Sequence, residues 1–358
     1  MGKPFPIYCH NTFPVFPVAM QRQTKALVNH QLPSMDQVAQ LAGVSAATVS
    51  RVLTGSKPVF ADTRRRVEDA IERLGYRANA FGRSLSTGES RLLLVLVPDF
   101  SNPYYAEIVS GAAAVARQNA YTLLPVDLEE SWSIEGGSLE TVYSSLTDGV
   151  INMVPITNER AMVNSARRKP WVNCSEFLPE SDVPYVSIDH RQAACDAVQY
   201  LINRGHSRIG LINSDERFLY ARQRREGYEL ALRRAGIELR SDLIRMTGST
   251  SYQRGSEAAA ALMATAKPPT AVFAVSDMLA IGAIKAFRRA HMRVPDDIAV
   301  VGFDDIPIAE VFEPALTTIA QPMQALGRVA VELLLKRLGG AMPESQILPY
   351  ALTLRESA

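Results

Sequence analysis

The sequence predicts an α/β protein, with a small helical domain followed by a two-lobed core of doubly wound parallel sheets. Two observations support this fold class. Residues 34–88 show helical spacing of apolar residues and no strand pattern, whereas short apolar runs alternate with helical segments from Leu92 onwards. The chain has 358 residues, of which 47% are hydrophobic and 21% charged, which is typical of a globular protein with two or three domains.

The N-terminal part of the helical region, residues 34–51, predicts two short helices joined by a glycine turn. Ser34 and Gln37 have the spacing of a capping box, Gly43 permits the turn, and Ser45 can cap the second helix. The apolar spacing predicts that each helix buries one face, formed by Val38, Leu41 and Ala42 in the first and by Val49, Val52 and Leu53 in the second. This pattern is a helix-turn-helix, whose second helix is of the kind that lies in the DNA major groove.

A third amphipathic helix is predicted from Asp62 to Leu74 and ends at Gly75, so that three helices close one small core within residues 34–78. Residues 79–89 form a predicted hinge and linker. The hinge has helical spacing but little to bury, and such a short helix is marginal in water. We therefore expect it to fold only when a partner such as DNA stabilises it.

The charge balance is consistent with nucleic-acid binding by this region alone. The whole chain has a net charge of +1, but residues 34–88 carry eight basic and five acidic side chains, a local net charge of +3. A solvated helix face would show a similar balance, so the charge by itself does not decide between the two interpretations.

The remaining residues, 90–358, alternate buried strands with helices and predict two lobes. The first lobe would comprise about 90–189 and 320–345, and the second about 190–319 and 346–358. In open α/β sheets, ligands bind at the carboxyl ends of the strands, which here lie at the cleft between the lobes. The predicted strands are 92–97, 122–126, 149–154, 185–188, 209–213, 271–275 and 298–303, and the predicted helices include 106–119, 193–203, 224–235, 256–263, 278–289 and 324–338.

Several classes of protein are disfavoured by what the sequence lacks. Its three cysteines, Cys9, Cys174 and Cys195, have neither disulfide nor metal spacing, which favours the reducing cytoplasm and predicts no metal and no cofactor. No apolar run is long enough to span a membrane. Prolines interrupt residues 1–33, which we interpret as a disordered arm rather than a signal peptide. The common catalytic motifs are absent, so no catalytic residues are predicted, although an enzyme or an exported sugar-binding protein on the same core remains a remote alternative.

Specific motifs give the chain a resemblance to a known family. They include DQVAQLAGVSAATVSR at 36–51, TRRRVxxAIxxLGY at 63–76, GHxRIG at 205–210, SDxxAxGA at 276–283, VGFDD at 301–305 and LTTIAQP at 316–322. The sequence resembles the LacI/GalR family of bacterial transcription regulators from Ser34 to Glu356. Within the family, residues 94–108, 175–177 and 196–212 are similar to regulators that respond to a nucleoside such as cytidine.

The resemblance implies a homodimeric repressor that binds a pseudo-palindromic operator in double-stranded DNA. Arg51 is expected to bind guanine through two hydrogen bonds, and the hinge residue Leu85 to wedge into the minor groove. The full set of predicted DNA-binding residues is Ser45, Ala46, Ala47, Thr48, Ser50, Arg51, Asn79, Arg83 and Leu85.

The resemblance also implies a small-molecule effector in the interlobe cleft. Arg224 and Asp277 are the pair expected to bind vicinal hydroxyls of a sugar, while Tyr105 and Phe177 pack on the effector and Asp189 contributes a polar contact. A nucleoside is favoured, and a pentose or hexose is the alternative because aromatic rings also stack on sugars.

Two positions depart from the family pattern. Phe60 replaces the usual helix-capping serine, so Asp62 or Thr63 is expected to cap the third helix. Thr250 replaces an aromatic residue, and Phe218 or Tyr252 is expected to compensate for it.

Overall fold

The computed structural model describes residues 33–55, 57–76, 89–127, 146–155 and 169–358. The chain divides into two compact units, residues 1–79 and residues 80–358, close to the predicted end of the helical domain at 78. The predicted arm and the hinge residues Asn79, Arg83 and Leu85 lie outside the described residues.

Within its described residues, the first unit has three helices, α1 (Met35–Ala42), α2 (Ala46–Thr54) and α3 (Ala61–Leu74). Ser34 forms the predicted capping box with Gln37, and Gly43 turns the chain with a φ of 65°. Ser45 caps α2 by accepting a hydrogen bond from the backbone N–H of Thr48. Apolar side chains from all three helices form the core of this unit, namely Val38, Ala39, Ala42, Val49, Val52, Val67, Ala70 and Tyr76.

Two details of the helical unit differ from the prediction. Leu41 and Leu53 are exposed by 49% and 37%, whereas Ala39, which was not in the predicted face, lies in the core together with the predicted Val52. The prediction that Asp62 or Thr63 caps α3 is wrong. Phe60 occupies the cap position without a side-chain hydrogen bond, and the Asp62 carboxylate is paired with Arg65 on the same helix.

The first lobe of the second unit contains a six-stranded parallel sheet of order β11-β5-β4-β3-β1-β2. Its strands are β1 (Leu92–Val97), β2 (Thr122–Asp127), β3 (Gly149–Asn152), β4 (Trp171–Cys174), β5 (Tyr185–Ser187) and β11 (Gln346–Ile347). Helices α4 (Pro103–Gln118) and α10 (Met323–Leu338) pack closely against each other in this lobe. Gly111 and Gly327 allow this approach, since a Cβ at either residue would overlap the backbone of the opposite helix.

The second lobe contains a sheet of order β12-β10-β9-β8-β6-β7, in which only β12 is antiparallel to its neighbour. Its strands are β6 (Ile209–Asn213), β7 (Ile244–Met246), β8 (Ala271–Ala274), β9 (Ala299–Asp304), β10 (Thr317–Ala320) and β12 (Ala351–Thr353). Its helices are α5 (His190–Asn203), α6 (Leu219–Arg234), α7 (Tyr252–Met263), α8 (Asp277–Arg289) and the short α9 (Ile308–Val311). The central strands are buried along their whole length, as apolar parallel strands require.

The chain passes from the first sheet to the second between β5 and β6, returns to the first lobe after β10, and reaches the second sheet again at β12. Strand β11 pairs with β5 and therefore lies in the first lobe, two residues beyond the boundary of about 345 predicted from the sequence. Among the described residues, no helix combines the length and the apolar character that a membrane span needs.

Candidate functional site

Helix α2 presents a short surface that is suited to DNA contact. Ala47 and Arg51 are exposed, and no carboxylate among the described residues forms an ion pair with Arg51. An arginine without a local partner retains its full hydrogen-bonding capacity for a guanine edge. Ser50 is half-buried, and Ala46 packs partly against the core of the helical unit.

The start of α2 is fixed by a local hydrogen-bond pair. Ser45 Oγ accepts from the backbone N–H of Thr48 at 3.3 Å and lies 3.0 Å from Thr48 Oγ1. Both side chains lie at the N-terminal end of the helix, where the helix dipole favours a phosphate. A phosphate contact at this end of the helix would set the register of the protein on DNA without reading its sequence.

A narrow pocket lies between the two lobes of the second unit, at the carboxyl ends of the strands. Asn102 Nδ2 from the first lobe and Thr250 Oγ1 from the second are 3.4 Å apart at this pocket. The lining combines aromatic with polar side chains, namely Asn102, Tyr104, Tyr105, Met153, Ser175, Glu176, His190, Tyr220, Arg224, Thr250, Ser276 and Asp304.

Arg224 is the central cation of the pocket and is only 3% exposed. Its guanidinium carbon lies 3.6 Å from the centre of the Phe303 ring and 4.7 Å from that of Tyr220. Its Nη1 donates to the Val275 carbonyl oxygen and lies 3.3 Å from Asp304 Oδ1. This stacking and pairing hold the guanidinium plane in one orientation, which directed hydrogen bonding to a ligand requires.

A chain of hydrogen bonds links this arginine to the first lobe. Gln321, in the crossover between the lobes, donates from Nε2 to Asp304 Oδ1 at 2.8 Å. Tyr104 donates to Gln321 Oε1 at 3.3 Å, and the Tyr104 hydroxyl is 2.6 Å from Ser175 Oγ. These hydrogen bonds therefore connect pocket-lining groups of both lobes through Gln321 in the crossover segment.

The backbone is strained at two residues of this hydrogen-bond network. Ser175 and Asp304, each at the carboxyl end of a strand, have φ values of 67° and 124°. Non-glycine residues rarely adopt such angles, and they cluster at ligand sites because the surrounding structure must enforce them.

Glu176 of the first lobe caps a helix of the second lobe. Its carboxylate accepts hydrogen bonds from the backbone N–H groups of Leu219 at 2.8 Å and Tyr220 at 3.3 Å, at the start of α6. Phe218, at the cap position of that helix, supplies no side-chain hydrogen bond. Burial raises the pKa of Glu176 to about 7 despite these two bonds. The helix thus depends on the opposite lobe for its cap, and the contact exists only when the lobes are closed on each other.

The structure brings together two of the five predicted effector residues, Tyr105 and Arg224, in the lining of the pocket. Phe177 stacks on the Tyr185 ring with centroids 3.8 Å apart. Asp189 is exposed and caps α5 by accepting from the Gln192 backbone N–H at 2.8 Å. These two side chains and Asp277 lie outside the lining of the pocket.

The predicted pairing of Arg224 with Asp277 differs from the arrangement in the structure, where Arg224 faces Asp304. Asp277 is fully buried and accepts from the Ile306 backbone N–H at 2.9 Å and from the Thr318 hydroxyl at 2.5 Å. Burial and the nearby Asp304 raise the pKa of Asp277 to about 7. Burial also raises the pKa of Asp304, to about 6.

His190, Tyr220 and Asp304 are among the pocket residues that sequence reasoning did not select. Asp304 directly follows the predicted strand 298–303 and ends the observed strand β9, and its position at the carboxyl end of that strand could have identified it. Thr250 lines the pocket, but Phe218 and Tyr252, expected to compensate for its small size, do not. Tyr220 supplies an aromatic face instead.

Comparison with known proteins agrees with this architecture. The family model "Bacterial regulatory proteins, lacI family" matches residues 34–79, and the model "Periplasmic binding protein-like domain" matches residues 198–358. The HTH-type transcriptional repressor CytR of Escherichia coli (strain K12) is 38% identical over 317 residues, covering 88% of this chain and 93% of CytR.

Two solved structures are also similar. The lac repressor dimer bound to operator and the anti-inducer ONPF is 26% identical, with a TM-score of 0.80 over 91% of this chain and 98% of that chain. The complex of the transcriptional regulator CelR with cellobiose is 32% identical, with a TM-score of 0.69 over 91% of this chain and 100% of that chain.

The helix-turn-helix unit, the two-lobed core and the similarity along almost the whole chain agree with one another. They exclude the alternatives of an enzyme and an exported sugar-binding protein. The chain belongs to the lacI family of bacterial regulatory proteins and is a DNA-binding transcriptional repressor controlled by an effector.

Proposed function

We propose that this repressor responds to a nucleoside such as cytidine, bound in the interlobe pocket. The observation that carries the proposal is the buried pair of Arg224 and Asp304, in a pocket whose lining includes the rings of Tyr105 and Tyr220. A guanidinium beside a carboxylate can share the vicinal hydroxyls of a ribose, and an aromatic ring can stack on a flat base. The similarity to CytR supports the same effector class.

A pentose or hexose is the second candidate. The pair of Arg224 and Asp304 would bind sugar hydroxyls equally well, and the aromatic rings would pack on the apolar face of a pyranose. CelR, which is similar along its whole length, is described in complex with cellobiose. The two candidates differ in whether a base is needed for binding.

The effector is proposed to bind Tyr105 and Arg224 directly. Phe177, Asp189 and Asp277 are retained as proposed effector residues that act in supporting positions. Asp189 does so through the cap of α5, whose first residue, His190, lines the pocket.

DNA reading is proposed to centre on Arg51, which would donate two hydrogen bonds to a guanine. Ala46 and Ala47 would lie near thymine methyl groups, and Ser45 and Thr48 near phosphates. Ser50 is proposed to contact DNA next to Arg51. The hinge residues Asn79, Arg83 and Leu85 would bind the minor groove, with Leu85 as the wedge.

Control is proposed to operate by differential affinity of the effector for two arrangements of the lobes. The effector would favour the arrangement in which the hinges of the two protomers cannot pair, and so release DNA. We assign the DNA-binding domain to 34–78, the hinge to 79–89 and the effector and dimerisation core to 90–358. Such a regulator acts in the cytoplasm.

A thermal-shift panel of nucleosides, bases, pentoses and hexoses on the full chain tests the effector class. A ligand present at about 100 times its Kd adds about 2.7 kcal/mol of stability, so the melting temperature rises measurably. We expect cytidine to stabilise the protein, and Arg224→Ala to remove the shift. Arg233→Ala, an exposed arginine on the same helix, serves as the control that leaves the shift unchanged. A shift with sugars and none with nucleosides would establish the second candidate instead.

Operator binding is tested separately. DNA fragments that the protein binds are selected first, and its affinity for them is then measured by fluorescence anisotropy. Arg51→Ala should lose about 1–3 kcal/mol of discrimination for one guanine position. The control variant Arg73→Ala also removes one positive charge, but from α3. Any weakening of DNA binding that it causes should be the same for all sequences. If Arg51→Ala retained full sequence discrimination, α2 would not read bases through this residue.

A further inference from the structure

His190 is the first residue of α5 and is fully buried in the lining of the pocket. Its ring centre lies 5.9 Å from that of Phe303 and 6.4 Å from that of Tyr220. Packing against two rings and a helix start fixes the orientation of the imidazole. Each nitrogen of the His190 ring therefore faces a fixed set of neighbouring atoms.

Contact with Arg224 decides which nitrogen of His190 carries the hydrogen. Nδ1 of His190 lies 3.4 Å from Nε and 3.3 Å from Nη2 of Arg224. An arginine can only donate hydrogen bonds, so Nδ1 must accept. Burial and the neighbouring arginine lower the pKa of His190 well below its usual range, so the ring is neutral at physiological pH. A neutral imidazole has one N–H group, which therefore lies on Nε2.

This Nε2–H group has no hydrogen-bond partner in the part of the chain that the structure describes, and it is shielded from solvent. Unpartnered buried donors are rare in folded proteins and need an explanation where they occur. Because His190 lines the pocket, the missing partner is supplied most directly by whatever fills the pocket.

We propose that His190 donates a hydrogen bond from Nε2 to the bound effector, and so selects effectors with an acceptor atom at this point. The atom facing His190 is then a carbonyl oxygen, an unprotonated ring nitrogen or a sugar oxygen, whereas an amino group or ring N–H there is rejected. The inference rests on the proposed function, since it takes this pocket as the effector site.

Two substitutions separate the two nitrogens of the ring. In His190→Asn, the shorter amide can still offer an oxygen to Arg224 but has no donor at the position of Nε2. In His190→Gln, the longer amide can place an N–H group near that position. Calorimetric titration of the full-length protein with cytidine should show an affinity reduced about tenfold to a hundredfold in His190→Asn, because the acceptor on the effector loses its partner. His190→Gln should retain most of the affinity.

Nuclear magnetic resonance of the wild-type protein with ¹⁵N-labelled histidine gives a readout that does not depend on folding of a variant. The chain has five histidines, and the His190 signals are assigned by their loss in His190→Gln. We expect the Nε2–H tautomer without ligand, and a change in the Nε2–H resonance on addition of cytidine. An Nδ1–H tautomer, or a resonance that does not respond to bound cytidine, would overturn the proposal.

Failure of this inference and failure of the proposed effector class give different results. If wild-type protein does not bind cytidine, the nucleoside proposal is wrong, and the tautomer of His190 still tests the donor. If wild-type protein binds cytidine and His190→Asn binds it equally well, the nucleoside proposal stands and the role of His190 is refuted.

Discussion

Replacing Glu176 by glutamine changes the charge of the interlobe cap while keeping its shape. Glu176 is 3% exposed, and its carboxylate accepts from the N–H groups of Leu219 and Tyr220 in the opposite lobe. Glutamine also has a side-chain oxygen that can accept one of these bonds. The substitution therefore tests the cost of burying the charge, separately from the loss of the contact.

The magnitude follows from the pKa. Burial raises the pKa of Glu176 from 4.5 to about 7, which corresponds to about 3 kcal/mol of free energy for ionising it in the folded protein. Because the folded-state pKa is raised, the protonated side chain contributes stability that is fully present below the unfolded-state pKa. This contribution is lost as the pH rises through about 7. The wild type thus loses up to about 3 kcal/mol from this group between about pH 5 and pH 8.5, and Glu176→Gln loses none of it.

Urea unfolding of the full chain at these two pH values, followed by tryptophan fluorescence, measures the difference. Near pH 5 the two proteins should be about equally stable, and near pH 8.5 the variant should be more stable by about 3 kcal/mol. The raised pKa values of Asp277 and Asp304 affect both proteins alike and cancel in the comparison. Glu180→Gln, at an exposed position of the same segment, should show no pH-dependent difference from wild type.

The reasoning is refuted if the difference between wild type and Glu176→Gln is the same at both pH values. A wild type that is the more stable protein near pH 8.5 would refute it as well. That result would mean that the two helix N–H groups stabilise the carboxylate by more than its burial costs.

Three further predictions concern packing, capping and the buried ion pair. Gly227→Ala should lower the stability of the core by about 1–3 kcal/mol in thermal melts, because its Cβ would overlap the α5 backbone. Gly339→Ala, where there is more room, should have little effect. Equal melting temperatures of the two variants would contradict this packing. Ser45→Ala should cost about 1 kcal/mol in the stability of the helical unit, measured by circular dichroism, because α2 loses its cap, and an unchanged melt would mean that the cap is not needed. Arg224→Leu should lower the free energy of unfolding in urea by about 3–5 kcal/mol, because it leaves Asp304 without its ion-pair partner. Adding Asp304→Asn in the same chain should recover part of this loss. If the effects of the two substitutions were fully additive, the two side chains would not be coupled.

The sequence predicted those elements whose signals are local. The capping box at Ser34, the turn at Gly43 and the helix end at Gly75 were all confirmed, because short-range hydrogen bonding and a positive φ determine them. Strands β1 and β6 were predicted with their observed bounds, since a run of five or six buried apolar residues leaves little choice of structure.

Elements that depend on long-range pairing were missed. Strands β4, β7, β10, β11 and β12 were not among the predicted strands. Three of them, β7, β11 and β12, have only two or three residues each, and they are strands because a neighbouring edge is available to them. The sequence around β11 therefore did not show that residues 346–347 still belong to the first lobe, whose predicted end is about 345.

The sequence by itself determined the helix-turn-helix unit, the alternation of strands and helices, the two lobes, the place of the cleft and the family, because periodicity and motifs record these directly. Only the tertiary structure decided which carboxylate faces Arg224. Asp277 and Asp304 both lie at the carboxyl ends of strands, but Asp277 is occupied by Ile306 and Thr318, which leaves Asp304 to the pocket. Likewise, the cap that Glu176 provides for α6 joins residues more than forty positions apart. Partner choice among buried polar groups depends on distances in space, which the order of residues along the chain does not contain.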